Sequence, residues 1–434
     1  MNFPYRAYRF LSTGLFLTLF PPFWFYTRWV GRHRESLKQR LGLYPDGLIN
    51  GISGSPRIWM HAVSVGEVSV AAAIIESLTA LLPDSAIILS TLTEHGQSYA
   101  KEKLGSKATC VYGPIDFIGA AHKALSTLKP DILVCLETEI WPNWLVEAQR
   151  MGIKTAIING RISNRSIKRY LKIRLLMEEA LRHVDAFSMI GEIDALRIAL
   201  IGASPDRIEI NGNAKYDLLL EQLDVSLIIK MERLYNLKGN EPVFVAGSTR
   251  NTEEKIILDL YRKIVQSFPK ALLIIAPRHV ERAKEIKDLV QAQGFACQYR
   301  TEFNLDNVMR TAPVVVLDTI GELQTTYSIA SIVFCGGSLV PLGGQNILEA
   351  AVWGKPVLYG PSMEDFLDAK KLLDSTGGGI QVKDGQDLAE KTLYYLNHPQ
   401  EAAHVGTLAQ KAVMSNRGAA GKHANVICRL LQSD

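Results

Sequence analysis

Several signatures are missing from this 434-residue chain, and each absence narrows what it can do. Its five cysteines form no CxxC pair, and its nine histidines form neither an HExxH nor an HxH arrangement. The sequence therefore makes no case for zinc and reads as a body with reduced, structural thiols, as in the cytosol. Charge of one sign is also scarce. The net charge is only +4, and residues 1–50 account for it: Arg6, Arg9, Arg28, Arg32, Arg34, Lys38 and Arg40 outnumber Glu35 and Asp46, which leaves the body close to neutral. A neutral body argues against a nucleic-acid groove. No short-period repeat is visible, and a chain 47% hydrophobic and 21% charged is globular rather than disordered. Its length favours two domains.

A clear membrane span is missing too. The 18 residues Phe10 to Thr27 carry no charge, but a spanning helix needs roughly 20 apolar residues. Pro21-Pro22 is expected to break or kink a helix there. No small-residue cleavage site follows, so a removed signal peptide is not expected. Trp24, Tyr26 and Trp29 beside Arg28, Arg32 and Arg34 have the makeup of an interfacial belt with a basic flank. Residues 1–50 thus read as an uncleaved anchor followed by a basic segment, Arg32 to Arg40, with the body on the cytoplasmic side. The competing reading is a hairpin packed on the body.

What the chain does have is alternation. Strands are expected at 57–63, 86–91, 108–112, 131–136, 154–159, 185–190 and 207–211, and again at 242–246, 271–276, 295–299, 313–317, 331–335 and 356–359, with helices between. The runs are short and apolar on both faces, as in a covered parallel sheet. This predicts an α/β protein of two Rossmann-like, doubly wound domains, 51–214 and 215–434, the second carrying the helical tail from Gln400 to Leu431. Ligands are expected in a cleft, at the carboxyl ends of strands. The outline is that of a two-Rossmann (GT-B type) glycosyltransferase.

The strand ends hold the polar chemistry. After the first strand, His61-Ala-Val-Ser-Val-Gly-Glu67 puts a carboxylate on the opening of a helix, where the dipole keeps it ionised. Such a group is either a first-turn glutamate or a general base. The fourth strand ends in Leu136-Glu-Thr-Glu-Ile-Trp-Pro-Asn143, and period-2 geometry would send Glu137 and Glu139 to opposite sides. In the second half, Gly247-Ser248-Thr249 resembles a phosphate-cradling turn. Pro277-Arg278-His279 sets a guanidinium and an imidazole where a phosphate could be gripped, and Asp318-Thr-Ile320-Gly321-Glu322 adds a carboxylate. Finally Cys335-Gly-Gly-Ser-Leu-Val-Pro-Leu-Gly343-Gly344-Gln-Asn346-Ile347-Leu348-Glu349 joins a strand, a glycine turn and an expected helix, Asn346 to Trp353. Its free N–H groups and dipole make an anion site, and Glu349 could accept from ribose hydroxyls. Caps and ordinary turns are the plainer alternative at each position.

Taken in order and spacing, His61–Glu67, Glu137–Asn143, Gly212-Asn-Ala-Lys215, Pro277-Arg-His279, Asp318–Leu323 and Gly343–Glu349 resemble the Kdo (3-deoxy-D-manno-octulosonic acid) transferases. The resemblance covers essentially the whole chain, with no departure at these positions. It implies inverting transfer of Kdo from CMP-Kdo to a lipid A precursor (lipid IVA) in lipopolysaccharide assembly, at the inner face of the cytoplasmic membrane. It carries over Glu67 as general base, Glu137 and Lys215 as helpers of the transition state, and Pro277, Arg278, Ile320 to Glu322 and Asn346 to Glu349 as contacts to the cytidine nucleotide. No cofactor and no metal are implied, in keeping with the absence of a DxD-like pair. The alternatives are another GT-B enzyme using a UDP-sugar, a sugar-nucleotide epimerase, or a membrane-tethered nucleotide-binding protein without turnover.

Overall fold

The computed structural model describes residues 3–30, 34–221, 223–239, 241–305 and 308–432. Two compact units emerge: Met1–Leu218 with Gly418–Asp434, and Leu219–Arg417. The boundary expected at 214/215 lies at Leu218/Leu219, and the C-terminal helix, Ala419–Gln432, expected with the second domain, belongs to the first. The cause is burial: its Ala420, Ala424 and Ile427 share a core with Val68, Ala71 and Leu78 of the Val65–Leu81 helix.

The first unit is built on seven parallel strands: β1 Arg57–His61, β2 Ala86–Thr91, β3 Thr109–Tyr112, β4 Ile132–Leu136, β5 Lys154–Gly160, β6 Ala186–Met189 and β7 Ile208–Ile210, in the order β3-β2-β1-β4-β5-β6-β7. Both faces are covered. Ile58 and Met60 of β1 enter the core under the Val65–Leu81 helix, while Trp59 enters the opposite core with Leu133, Trp144 and Phe187. That two-sided burial is why these strands read as continuous apolar runs. The chain reverses its winding direction between β1 and β4, the switch point at which doubly wound sheets bind ligands.

The second unit repeats the plan with β8 Val243–Thr249, β9 Leu272–Pro277, β10 Cys297–Tyr299, β11 Val314–Val316, β12 Ile332–Cys335, β13 Val357–Tyr359 and β14 Gly379–Gln381, ordered β10-β11-β9-β8-β12-β13-β14 and parallel throughout. Its switch point lies between β8 and β12. Strand β14 was not anticipated, because Gly377-Gly-Gly379 carries no strand signal.

The N-terminal segment forms one helix, Phe3–Val30, which Pro21-Pro22 does not end. It is not a hairpin. One side of its first turns docks on the first unit: Tyr5 Oη donates to Asn143 Oδ1 at 3.1 Å, Tyr8 Oη to Asp116 Oδ2 at 2.6 Å, and Phe16 stacks on Phe117. Phe3, Phe10, Leu11, Leu15 and Leu17 stay exposed. Among the described residues, no helix is long and apolar enough to cross a membrane. Arg32 of the expected basic segment lies outside the described residues, as do the side chains of Trp24, Tyr26, Arg28, Trp29 and Arg34.

Candidate active site

In the first unit, three sequence-predicted residues converge on the switch point between β1 and β4. Ser64 stands at the N-cap position of the Val65–Leu81 helix without a side-chain capping bond, and Glu67 lies in the first turn. The Glu67 carboxylate turns back on the strand end, accepting from the Val63 amide at 2.8 Å and the Ser64 hydroxyl at 3.1 Å. Burial raises its pKa above the ordinary glutamate value. The Val63 hydrogen bond opposes this, the nearby Glu137 charge adds to it, and Lys215 opposes it weakly.

Glu137 follows β4 directly and is held at φ +52°, a left-handed conformation that a residue with a Cβ adopts at a cost. The strand has already ended at Leu136, so period-2 alternation does not reach 137–139. Glu137 and Glu139 take different partners, and Glu139 carries the influence of both the Glu67 and the Glu137 charge. Glu137 Oε1 pairs with Lys215 Nζ at 2.8 Å, with the carboxylate largely buried. Glu139 accepts from Trp141 Nε1 at 2.9 Å, and its pKa is raised to about 7, first by burial and then by the Glu67 charge. The site is thus three carboxylates and one lysine, with the lysine matched to Glu137. Such a set leaves Glu67 and Glu139 without a cationic partner among the described residues, and of the two Glu139 is taken up by the Trp141 indole.

Behind it, His61 is buried and packed edge-on against Trp144 and Trp141. Its Nδ1 lies 2.8 Å from Ser90 Oγ, and burial drops its pKa to about 3. A histidine that cannot charge is a structural support here, not a base.

In the second unit, the predicted donor residues gather at the carboxyl ends of β8, β9, β11 and β12, but their backbone groups are less free than the sequence suggested. Ser248 takes a left-handed φ of +54°. Thr249 is fully buried, its hydroxyl donating to Glu254 at 2.9 Å, so it is not an open phosphate donor. The amide of Gly343 is spent on Ser362 Oγ and that of Gly344 on the Gly337 carbonyl, both at 2.9 Å. The anion nest of the loop after β12 is already filled, by a residue that sequence reasoning passed over. Buried Glu253 accepts from the amides of Gly337 (2.7 Å), Ser338 (3.1 Å), Leu339 (3.0 Å) and Arg250 (2.9 Å).

The groups left to face a ligand are side chains. Arg278 and His279 are exposed beyond Pro277, the last residue of β9. Asn346 donates to Glu349 Oε1 at 3.2 Å while its own oxygen caps the Leu348 amide. Burial raises the Glu349 pKa, opposed by the Asn346 bond and the Arg278 charge. The helix expected from Asn346 to Trp353 is only Leu348–Ala351, behind the buried Ile347. Ile320 stands almost fully exposed, Gly321 has φ +89°, and Glu322 is held by Arg300 at 3.0 Å and by the Thr319 hydroxyl at 2.9 Å. Arg300 is a second partner that the sequence did not announce.

Comparison with known proteins agrees with this layout. A family described as 3-deoxy-D-manno-octulosonic-acid transferase (kdotransferase) matches residues 35–218. The 3-deoxy-D-manno-octulosonic acid transferase of Haemophilus influenzae is 31% identical over 390 residues, covering 89% of this chain and 90% of that one. A probable mitochondrial enzyme of the same name from Arabidopsis thaliana is 29% identical over 415 residues, covering 92% and 89%. Among solved structures, a UDP-GlcNAc 2-epimerase from Neisseria meningitidis superposes with a TM-score of 0.60 at 15% identity, over 87% of this chain and all of that one. A glycosyltransferase from Rickettsia africae gives 0.59 at 14%, over 87% and 99%. At those identities the superpositions speak for the two-sheet fold alone.

Proposed function

Since the chain belongs to the 3-deoxy-D-manno-octulosonic acid transferase family and is a glycosyltransferase, we propose that it moves Kdo from CMP-Kdo onto a lipid A precursor in lipopolysaccharide assembly. The transfer proceeds with inversion and without a resident metal. The acceptor hydroxyl attacks the anomeric carbon, its proton passes to Glu67, and the bond to the CMP phosphate breaks so that CMP leaves as an anion. A carboxylate within hydrogen-bond reach is what deprotonation of a sugar hydroxyl requires. A raised pKa makes Glu67 a stronger base than an exposed glutamate. A phosphate leaving group needs cations more than a strong acid, and in the second unit Arg278 and His279 supply donors, while Lys215 of the first unit is the helper of the transition state that the family resemblance implies. Glu137 holds Lys215 in place. Glu349, steadied by Asn346, takes the ribose hydroxyls, while Ile320 and Gly321 border the base and Pro277 and Glu322 frame the nucleotide. Ile347 and Leu348 bring the Asn346–Glu349 turn to it, and Ser248 lines the same edge.

The observation that carries this reading is the site at the β1/β4 switch point, where Glu137 is paired with Lys215 and Glu139 with the Trp141 indole, while Glu67 at the helix opening is bound only by the Val63 amide and the Ser64 hydroxyl. Glu67→Gln should retain CMP binding by calorimetry and lose Kdo transfer by at least about 10³-fold, a loss of the size expected when a catalytic base is removed. Turnover near the parent rate would sink the assignment.

Membrane attachment on the cytoplasmic face is part of the proposal. It is supported by a surface of the first unit that combines cations with exposed apolar groups. Helices Asn164–Lys172 and Arg174–Leu181 expose Arg165, Lys168, Arg169, Lys172 and Arg174 beside Leu171, Ile173 and Leu175. The Phe3–Val30 helix packs against the second of these. Basic residues flanking apolar ones suit an anionic leaflet.

A further inference from the structure

Lys215 is placed by groups far from it in sequence. Its loop, Gly212 to Asp217, crosses the carboxyl end of β5, where Asn159 is buried and left-handed at φ +53°. Asn159 Oδ1 accepts from the Ala214 amide at 2.9 Å. The carbonyl of the preceding residue, Ile158, accepts from the Glu137 amide at 3.1 Å. One dipeptide of β5 therefore holds both halves of the Lys215–Glu137 pair: the loop of one through a side chain, the strained backbone of the other through a carbonyl. Asn213 Oδ1 then accepts from the Lys215 amide at 3.0 Å and fixes where that residue starts its helix.

The other end of the loop is held by the C-terminal helix. His423 is fully buried, with Nε2 3.0 Å from the Gly212 carbonyl and Nδ1 2.7 Å from Ser188 Oγ. A carbonyl only accepts, so Nε2 carries the hydrogen and Nδ1 accepts from the Ser188 hydroxyl. Ser188 Oγ in turn accepts from Asn211 Nδ2 at 2.7 Å. Burial pushes the His423 pKa down to about 4, so this neutral tautomer persists across the working pH range. Asp217 closes the arrangement by accepting from the amides of Gly418 and Ala420, both at 2.7 Å, at the opening of the same helix.

We propose that Asn159 and His423 are positioning residues for the reaction, pinning the 212–217 loop so that Lys215 meets Glu137 at the switch point. The proposal rests on the reading of Lys215 as a transition-state helper. Neither residue touches substrate. Both act through Lys215, and a misplacement of about 1 Å in a reacting constellation can cost 10²-fold in rate.

The test is a double-mutant cycle on the full chain, with Kdo transfer from CMP-Kdo to a lipid A precursor as the assay and CMP affinity and thermal unfolding as controls. Asn159→Gly takes φ +53° without strain and removes only the acceptor; His423→Leu removes both ring bonds, and His423→Gln keeps a donor near Gly212. Asn159→Gly and His423→Leu should each lower kcat about 10- to 100-fold, leave CMP affinity within about twofold, and add less than about threefold when combined with Lys215→Met. His423→Gln should recover part of the loss. Losses that multiply fully with Lys215→Met, or unchanged kcat in folded Asn159→Gly, overturn the proposal. Full turnover in Lys215→Met alone would overturn the underlying reading of Lys215, and the clamp with it. Should Asn159→Gly not fold, Asn159→Asp, which retains Oδ1, must keep more turnover than Asn159→Ala, and equal losses in the two again overturn the proposal.

Discussion

The two units place a first-turn glutamate in the same topological position, on the helix that follows the central strand of the switch point. Glu67 follows β1 and Glu253 follows β8. Glu67 accepts one amide and one hydroxyl, at the partly exposed mouth of its helix. Glu253 accepts four amides and is fully buried. Residue type and position are alike; what differs is how much of the carboxylate's hydrogen-bonding capacity the fold has consumed. A carboxylate with spare lone pairs can take a proton from a substrate. One that is saturated serves as an internal anion, completing a backbone nest that a phosphate might otherwise have filled.

The comparison breaks most visibly under truncation. Glu253→Ala leaves four amides unsatisfied in a dry site, and each buried donor so orphaned costs about 1–3 kcal/mol before relaxation. A destabilisation of about 4 kcal/mol or more is expected in urea unfolding of the second unit, with weakened CMP binding as the loop from Gly336 to Leu339 loosens. Gly336 cannot adapt by substitution, since a Cβ there would lie 2.6 Å from Thr249 Cα. Glu67→Ala should cost less than about 1 kcal/mol, because its partners can turn to water. Equal losses in the two variants would mean that the saturation of Glu253 has no energetic content.

Much of this was legible from residue order. All seven strands of the first sheet lie where apolar, β-branched runs predict them. The strand-end rule points to Glu67 and Glu137 because a parallel sheet delivers its carboxyl ends to one edge, while Lys215 follows only from the family resemblance. What stayed hidden depends on distance in the chain. Nothing local says that Ala419–Gln432 returns to the first unit, so nothing in the helical tail marks His423 as a partner of the 212–217 loop. Asn159 carried a faint signal, Asn followed by Gly160 at a strand end, the pairing that favours a left-handed turn. The glycine-rich stretch misled in the opposite direction. Its pattern suggests open amides, yet the amides of Gly337, Gly343 and Gly344 are all spent inside the unit, a matter of tertiary contact that composition cannot report.

A smaller effect separates carboxylates within the first unit. Glu139, raised to about 7 by burial and by Glu67, binds a proton in the folded state over a range where the unfolded chain has already released it. Its contribution to stability is present below the ordinary glutamate pKa and is lost as pH rises through about 7. Stability should therefore fall between about pH 4.5 and 7 by something on the order of 1–2 kcal/mol, after discounting for partial exposure. Glu139→Gln, which cannot titrate, should flatten that slope in urea unfolding followed at several pH values. Glu253→Gln should flatten it too, since burial also raises the Glu253 pKa, but on top of a loss of bonds at every pH. An unchanged slope in Glu139→Gln would remove Glu139 from the titrating set.

The smallest effect tests whether the Glu67 carboxylate feels its neighbours as the geometry implies. As a base it works ionised, so the acid limb of kcat/KM should rise as pH passes upward through its raised pKa. Glu137 contributes to that raising and Lys215 opposes it. Glu137→Gln removes a negative neighbour, so Glu67 ionises more readily and the limb moves to lower pH. Lys215→Met should move it the other way by a smaller amount, Lys215 being the weaker influence. Both variants turn over more slowly, so the limb is read from profiles normalised to their own plateaus. A limb that stays put in Glu137→Gln would detach it from Glu67 and assign it to a group elsewhere, such as the phosphate of the donor. A shift in the opposite direction would mean that Lys215, released from Glu137, has moved away from Glu67, making the pair's geometry rather than its charge the quantity that sets the base.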